Sequence, residues 1–139
     1  MNSRTKIQKE IAFKRLIHRN DYIRNKNRVK FRGKVDGKSH LKHEVVKSMM
    51  GIILYEKKYD FWTEPRLVIG DKCIGVPDIA VSTTQKFYEI TDKGRGLDKK
   101  NDLYGKIPKD LWQDVVEIDC EKVPDTIYAM YFYLQKVIL

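Results

Sequence analysis

From His40 to about Lys57 apolar residues recur at three- and four-residue steps: Leu41, Val45, Met49, Ile52 and Ile53. That period predicts a helix, with Ser39 as its N-cap. The pattern then shortens. Arg66 to Ile69, Ile74 to Val81 and Lys86 to Thr91 read as three strands. Turns at Gly70-Asp71-Lys72 and at Ser82 to Gln85 separate them, which predicts an antiparallel meander. Leu97 to Gly105 reads as a short helix and Val115 to Asp119 as a further strand. Pro124 sits near the first turn of a final helix, where its missing N–H costs nothing. Ile127, Met130, Tyr131, Leu134, Val137 and Ile138 give that helix a broad apolar face. The order helix, three strands, helix, strand, helix predicts an α/β fold, one mixed β-sheet flanked by helices.

The first 39 residues differ in kind. Residues 5–26 suit one helix, but Ile7, Ile11, Leu16 and Ile23 give only a loose apolar stripe, with Phe13 and Ile17 beside it. Lys and Arg fill most other positions, so the segment reads as one that folds on a partner. Two glycines in FRGKVDGKS mark residues 31–39 as a linker. The chain therefore divides into a basic N-terminal arm and linker, 1–39, and an α/β domain, 40–139. The arm has 13 Lys and Arg against 3 Asp and Glu, whereas the remainder has 15 against 16. The net charge of +9 is thus a local device on a neutral domain. Clustered cations of this kind attract phosphate backbones and release counterions on binding. Arg24, Lys26, Arg28, Lys30, Arg32 and Lys34 are the expected DNA contacts; RNA offers the same backbone charge. No residue string indicates base-specific readout.

Composition narrows the class. Across 139 residues, 42% hydrophobic and 11% aromatic content supports a packed core. No apolar run approaches the roughly 20 residues of a membrane span, and the polar start predicts no secretory signal. Cys73 and Cys120 lack metal-ligand spacing and read as free, buried thiols in a reducing, cytoplasmic setting.

The sharpest local chemistry lies in Gly75-Val76-Pro77-Asp78 and Glu89-Ile90-Thr91. Placed in adjacent strands, Asp78 and Glu89 project side by side. Two such carboxylates repel unless a cation sits between them, and Mg²⁺ or Mn²⁺ suits an oxygen-only site. An ordinary hairpin surface would also explain an Asp/Glu pair. The apolar neighbours in IGVPDIAV and FYEI argue instead for buried carboxylates that need compensation. Alternation puts Thr91 on the face of Glu89 and Ile90 on the other. Glu44, one turn after His40, offers a third carboxylate, flanked by His43 and Lys47; a solvent-facing polar stripe opposite Leu41 and Val45 is the plainer reading of that series. Glu64 is a fourth, weaker candidate. His-x-x-His-Glu is not the zinc-protease pattern.

These residues resemble the PD-(D/E)xK nuclease superfamily, with its restriction-endonuclease-like core in the order α-β-β-β-α-β-α. The resemblance runs from about Ser39 to Leu139 and rests on Glu44, Pro77-Asp78 and Glu89-x-Thr91. In style it is similar to archaeal Holliday-junction resolvases and small nucleases of archaeal viruses, which would make a host cytoplasm the setting. The resemblance implies a metal-dependent endonuclease acting on DNA, structure-selective or junction-resolving. Asp78, Glu89 and the Ile90 carbonyl would bind Mg²⁺ or Mn²⁺, with Glu44 completing the site. Where the family usually has Lys, this chain has Thr91. Lys93 from the strand end or Lys47 from the helix would supply the charge; otherwise the protein binds DNA without cutting it. A structural nucleic-acid-binding protein is the remaining competitor.

Lys93, Arg95, Lys99 and Lys100 crowd the stretch after Glu89 and suit phosphate contacts, although Asp92, Asp98 and Asp102 dilute them. Tyr104 and Lys106 would add contacts. Tyr128, Tyr131, Phe132 and Tyr133 exceed what one helix face buries, which predicts a homodimer interface.

Overall fold

The structure, a computed structural model, describes residues 5–31, 37–92, 102–111 and 114–138. Arg32, Lys34, Lys93, Arg95, Lys99 and Lys100, and the start of the helix expected at Leu97, lie outside the described residues.

Three helices come first: α1 (Lys6–Arg15), α2 (Arg19–Arg24) and α3 (Gly37–Glu56). Five strands follow: β1 (Phe61–Thr63), β2 (Leu67–Ile69), β3 (Lys72–Gly75), β4 (Ile79–Val81) and β5 (Lys86–Thr91). A helical turn, α4 (102–105), and a 3₁₀ turn at Lys109–Leu111 lead to β6 (Asp114–Asp119) and α5 (Ile127–Ile138). The fold is α/β, with a four-stranded mixed sheet in the order β1-β4-β5-β6 and helices on both faces. β4 runs antiparallel to β1 and β5, while β6 is parallel to β5.

The strand at 86–91 forms as its pattern predicts; the other two expected strands are redistributed. Leu67–Ile69 and Lys72–Gly75 close on each other as a separate two-stranded hairpin. Gly70 makes its turn at φ +62°, in the left-handed region that favours glycine. Ile74 to Val81 is interrupted at Val76-Pro77-Asp78, so Asp78 stands at a bend one residue before β4 rather than within a strand. Gly75 ends β3 at φ +152°, and a Cβ there would come 2.8 Å from Leu103 Cδ1. Phe61-Trp62-Thr63 takes the edge of the main sheet instead; three residues are too few to display a period of two.

Alternation on β5 divides the core. Tyr88 and Ile90 join Ile79, Val81, Met50, Ile53 and Leu54 under α3 and α5. Phe87 points the other way, with Ala80 and Trp62, against α1, α4 and the β2–β3 hairpin. Phe13 of α1 stacks on Phe87 at 4.8 Å between centroids, and Leu16 and Ile17 are also buried. The basic segment thus packs on the sheet instead of standing off as an arm. Its polar face meets solvent, while Phe13, Leu16 and Ile17 supply more apolar area than the loose stripe suggested. Asp21 secures it from α2. This buried carboxylate accepts from the Arg66 amide at 2.8 Å, the Arg66 Nε at 3.0 Å and Asn25 Nδ2 at 3.1 Å.

α3 departs most from its expected orientation. It begins at Gly37, which puts Ser39 inside the first turn. Leu41, Val45 and Ile52 are exposed, whereas Glu44, Val46, Lys47, Met50, Ile53 and Leu54 are buried. The helix carries apolar residues nearly all round, so its apolar pattern did not single out the inward face. On α5, Met130, Leu134 and Ile138 are buried, and Ile127, Tyr128 and Phe132 are exposed. Cys73 is exposed rather than buried; burial pushes the Cys120 thiol up to about 11. Among the described residues no helix is long and apolar enough to cross a membrane.

Candidate active site

Register brings the two expected carboxylates together. Ile79 pairs with Tyr88, so Asp78 at the foot of β4 falls opposite Glu89 of β5. The Asp78 amide donates to Glu89 Oε1 at 3.3 Å, and the Ile90 amide donates to Asp78 Oδ2 at 2.7 Å. Both side chains are buried, 4% and 2% exposed. The Tyr104 hydroxyl of α4 donates to Glu89 Oε1 as well. Burial, then the charge and hydrogen bond of Glu89 and the charge of Asp78, holds that phenol far above its ordinary range, so it stays protonated. Tyr104 is therefore a buried support of Glu89, not a DNA contact.

α3 brings the other half. Glu44 is 4% exposed, and its Oε2 lies 2.7 Å from the Lys47 ammonium. Lys47 is fully buried and lies 3.0 Å from Glu64 Oε2. It cannot act as the surface DNA contact expected of it, because it is enclosed between two carboxylates. His43 joins the halves: Nδ1 is 3.5 Å from Glu44 Oε1 and Nε2 is 3.5 Å from Asp78 Oδ2. His40 Nε2 stands 4.0 Å from Glu44 Oε1. Glu64 follows β1 at φ +47°, where a non-glycine residue is strained. Its amide donates to the Asp78 carbonyl at 2.8 Å, which pins the strained residue beside the site.

Glu44, Asp78, Glu89, Lys47 and Glu64 thus form one cluster joined by His43. Thr91 shares the face of Glu89, as alternation predicts, but its hydroxyl donates to Glu117 Oε1 of β6 at 3.0 Å. Arg24, Lys26, Arg28 and Lys30 are exposed. Lys26 and Lys30 reach Asp60 and Asp21 at 3.6 and 3.8 Å.

The donor chemistry fits a hard divalent cation. Three carboxylates are buried together with a half-buried fourth, and Lys47 is the one buried cationic side chain among the described residues. Carboxylates brought this close repel unless cations or protons, Lys47 among them, offset their charge. As the side chains stand, no group of three or more His, Cys, Asp or Glu among the described residues is arranged to share one ion. Asp78 Oδ2 accepts from the Ile90 amide, and Glu89 Oε1 accepts from the Asp78 amide and Tyr104.

Asp78 and Glu89 are legible in the sequence through their apolar surroundings, whereas Glu44 is offered only by its place one turn after His40 and by the resemblance, against the plainer reading of a solvent-facing stripe. His43 is there only a flanking residue and Tyr104 only an added contact, since nothing local signals which distant strand a helix turn covers. No protein family, curated protein or solved structure matches the chain.

Proposed function

We propose that the protein is a Mg²⁺- or Mn²⁺-dependent deoxyribonuclease with a restriction-endonuclease-like core. One observation carries the reading: Glu44, Asp78 and Glu89, drawn from three distant stretches, are buried in a single cluster with Lys47. Asp78, Glu89 and the Ile90 carbonyl would hold the ion, with Glu44 beside them. A divalent ion there supplies Lewis-acid polarisation of a phosphodiester and an activated water. The chain's own groups divide the remaining work. Lys47 brings the positive charge that Thr91 lacks and offsets the carboxylates of Glu44 and Glu64. Tyr104 orients Glu89 through its hydroxyl. Exposed Arg24, Lys26, Arg28 and Lys30 hold the phosphate backbone without reading sequence.

The test is cleavage of single-stranded, duplex and branched DNA in Mg²⁺ or Mn²⁺. Asp78→Asn and Glu89→Gln should each lower the rate on the order of 10³-fold while DNA binding persists. Equal cleavage by wild type and both variants would sink the proposal. The Thr91 hydroxyl, committed to Glu117, favours a second reading, a nuclease-fold protein that binds DNA without cutting it. Intact DNA in both ions, with binding retained, would select it. The exposed aromatics of α5 support a homodimer, which sedimentation at rising concentration tests.

A further inference from the structure

Residues 27–30, after α2, are hydrogen-bonded along the edge strand β1. The Asn27 amide donates to the Phe61 carbonyl at 2.8 Å, and Asn27 Oδ1 accepts from the Phe61 amide at 2.9 Å. The Lys30 amide donates to Thr63 Oγ1 at 2.6 Å, and that hydroxyl donates to the Arg28 carbonyl at 3.1 Å. Residues 27–30 therefore line the edge of β1, the strand that delivers Glu64. Val29 packs into α3 at Gly51, where an added Cβ would stand 2.5 Å from Val29 Cγ2.

This fixed segment ends on Phe31. Phe31 is 62% exposed, and its ring centroid lies 5.9 Å from the Lys47 ammonium inside the carboxylate cluster. That distance is within cation–π range. Arg28 and Lys30, both exposed, precede it. A single exposed aromatic is ordinary. This one is anchored through its backbone neighbours, preceded by cations and set against Lys47 of the cluster.

We propose that Phe31 is a stacking platform for an unpaired nucleobase, so that the substrate class is DNA with a single-stranded or branched element. The inference takes its choice of substrate from the nuclease reading. The chemistry follows from what each form of DNA exposes. A perfect duplex hides its base faces in its own stack and offers only edges and phosphates. An unpaired base has a free π-face, and stacking on an aromatic side chain is tolerant of sequence. Arg28 and Lys30 would hold the flanking phosphates. Lys47 beneath the ring adds a fixed positive charge to the site without needing to reach solvent.

The experiment measures affinity by fluorescence anisotropy, in EDTA so that no cleavage occurs. Single-stranded, perfectly paired and flapped duplex DNA are compared for wild type, Phe31→Ala and Phe31→Trp. Loss of the platform should weaken single-stranded and flapped DNA about 5- to 100-fold. Perfect duplex, held through phosphates, should change by less than about twofold. Phe31→Trp should restore binding. Thermal melting of both variants checks that this exposed position leaves the fold intact. Equal losses on all three DNAs, no loss on any, or no binding at all would overturn the inference. The nuclease reading fails separately, by absence of cleavage in Mg²⁺ and Mn²⁺. Discrimination retained without cleavage leaves the platform standing; cleavage without discrimination removes only the platform.

Discussion

Two groups of buried carboxylates in this protein are handled in opposite ways. Asp21 is alone and balanced: the Arg66 amide and guanidinium, Asn25 and Lys30 all face it. The cluster of Glu44, Asp78 and Glu89 is crowded, with Glu64 at its rim and Lys47 as the one fully buried ammonium among the described residues. A carboxylate kept for stability is surrounded until its charge is matched. Carboxylates crowded together repel one another and cost stability, and such crowding persists where a cation or a proton has work to do there. Both sit beside residues that the chain must bring from far away, so distance in sequence does not separate them. Balance does.

The comparison breaks most directly at Lys47. Lys47→Ala takes away the buried ammonium between Glu44 and Glu64 and should lower stability by about 3–5 kcal/mol. Adding Glu44→Gln to that variant should recover part of the loss, measured by chemical denaturation. If Lys47→Ala proves neutral, the cluster is not charge-limited and its contrast with Asp21 disappears. Glu89→Gln works in the other direction. It removes one charge from the crowded group, so melting temperature should hold or rise while cleavage falls on the order of 10³-fold. Mn²⁺ gives the same contrast without a kinetic assay. An ion that binds only the folded state stabilises it by about 2.7 kcal/mol at a hundredfold excess over its dissociation constant. Wild type and Asp21→Asn should show the shift in melting temperature, and Glu89→Gln should lose most of it.

Asp21 should behave as structure alone. Asp21→Ala removes three hydrogen bonds, two of them from Arg66, and should cost about 2–3 kcal/mol with cleavage per folded molecule unchanged. Its pH dependence has a definite sign. Burial alone would raise the carboxyl, but the Arg66 amide and side chain together with Lys30 outweigh it and hold it below its ordinary value of 3.8. The folded state therefore keeps this group ionised where the unfolded chain takes up a proton. Its contribution is complete above about pH 4 and drains away as pH falls through the lower folded value. Wild type and Asp21→Asn should converge in stability over that acid range when melted in parallel. A gap that stays constant down to pH 2 would mean the carboxylate charge is not what binds α2 to the Arg66 backbone.

The two groups were also unequally legible. Asp78 and Glu89 stand out in sequence because each interrupts an apolar run, and a carboxylate among Ile, Val, Phe and Tyr already asks what compensates it. Lys86–Thr91 shows its strand period plainly, so the face shared by Glu89 and Thr91 was available too. Asp21 gives no such signal: it lies among Arg, Asn and Tyr, and its partner Arg66 is 45 positions away. The inward orientation of Glu44 and Lys47 was equally hidden. Leu41, Val45 and Ile52 make the opposite side of α3 look like the buried one, and only packing under β1 and β5 decides otherwise. Tyr104 shows the same limit, since reaching Glu89 depends on where α4 crosses the sheet.

Thr91 offers the smallest and most discriminating test, because it lies between structure and chemistry. It occupies the position where the resembled family places its lysine, and its hydroxyl is bonded to Glu117 rather than to the carboxylate cluster. Thr91→Val keeps the shape and removes that bond, at a cost of about 0.5–1.5 kcal/mol. If Lys47 carries the charge that the reaction needs, Thr91→Val should change cleavage by less than about threefold, since only a hydrogen bond to the Glu117 carboxylate, outside the cluster, is lost. A collapse of cleavage as deep as that of Glu89→Gln, with the fold intact, would move the essential group from α3 to β5. Lys47 would then be a structural counter-ion of Glu44 and Glu64, and the cluster would be closer in kind to the balanced site at Asp21.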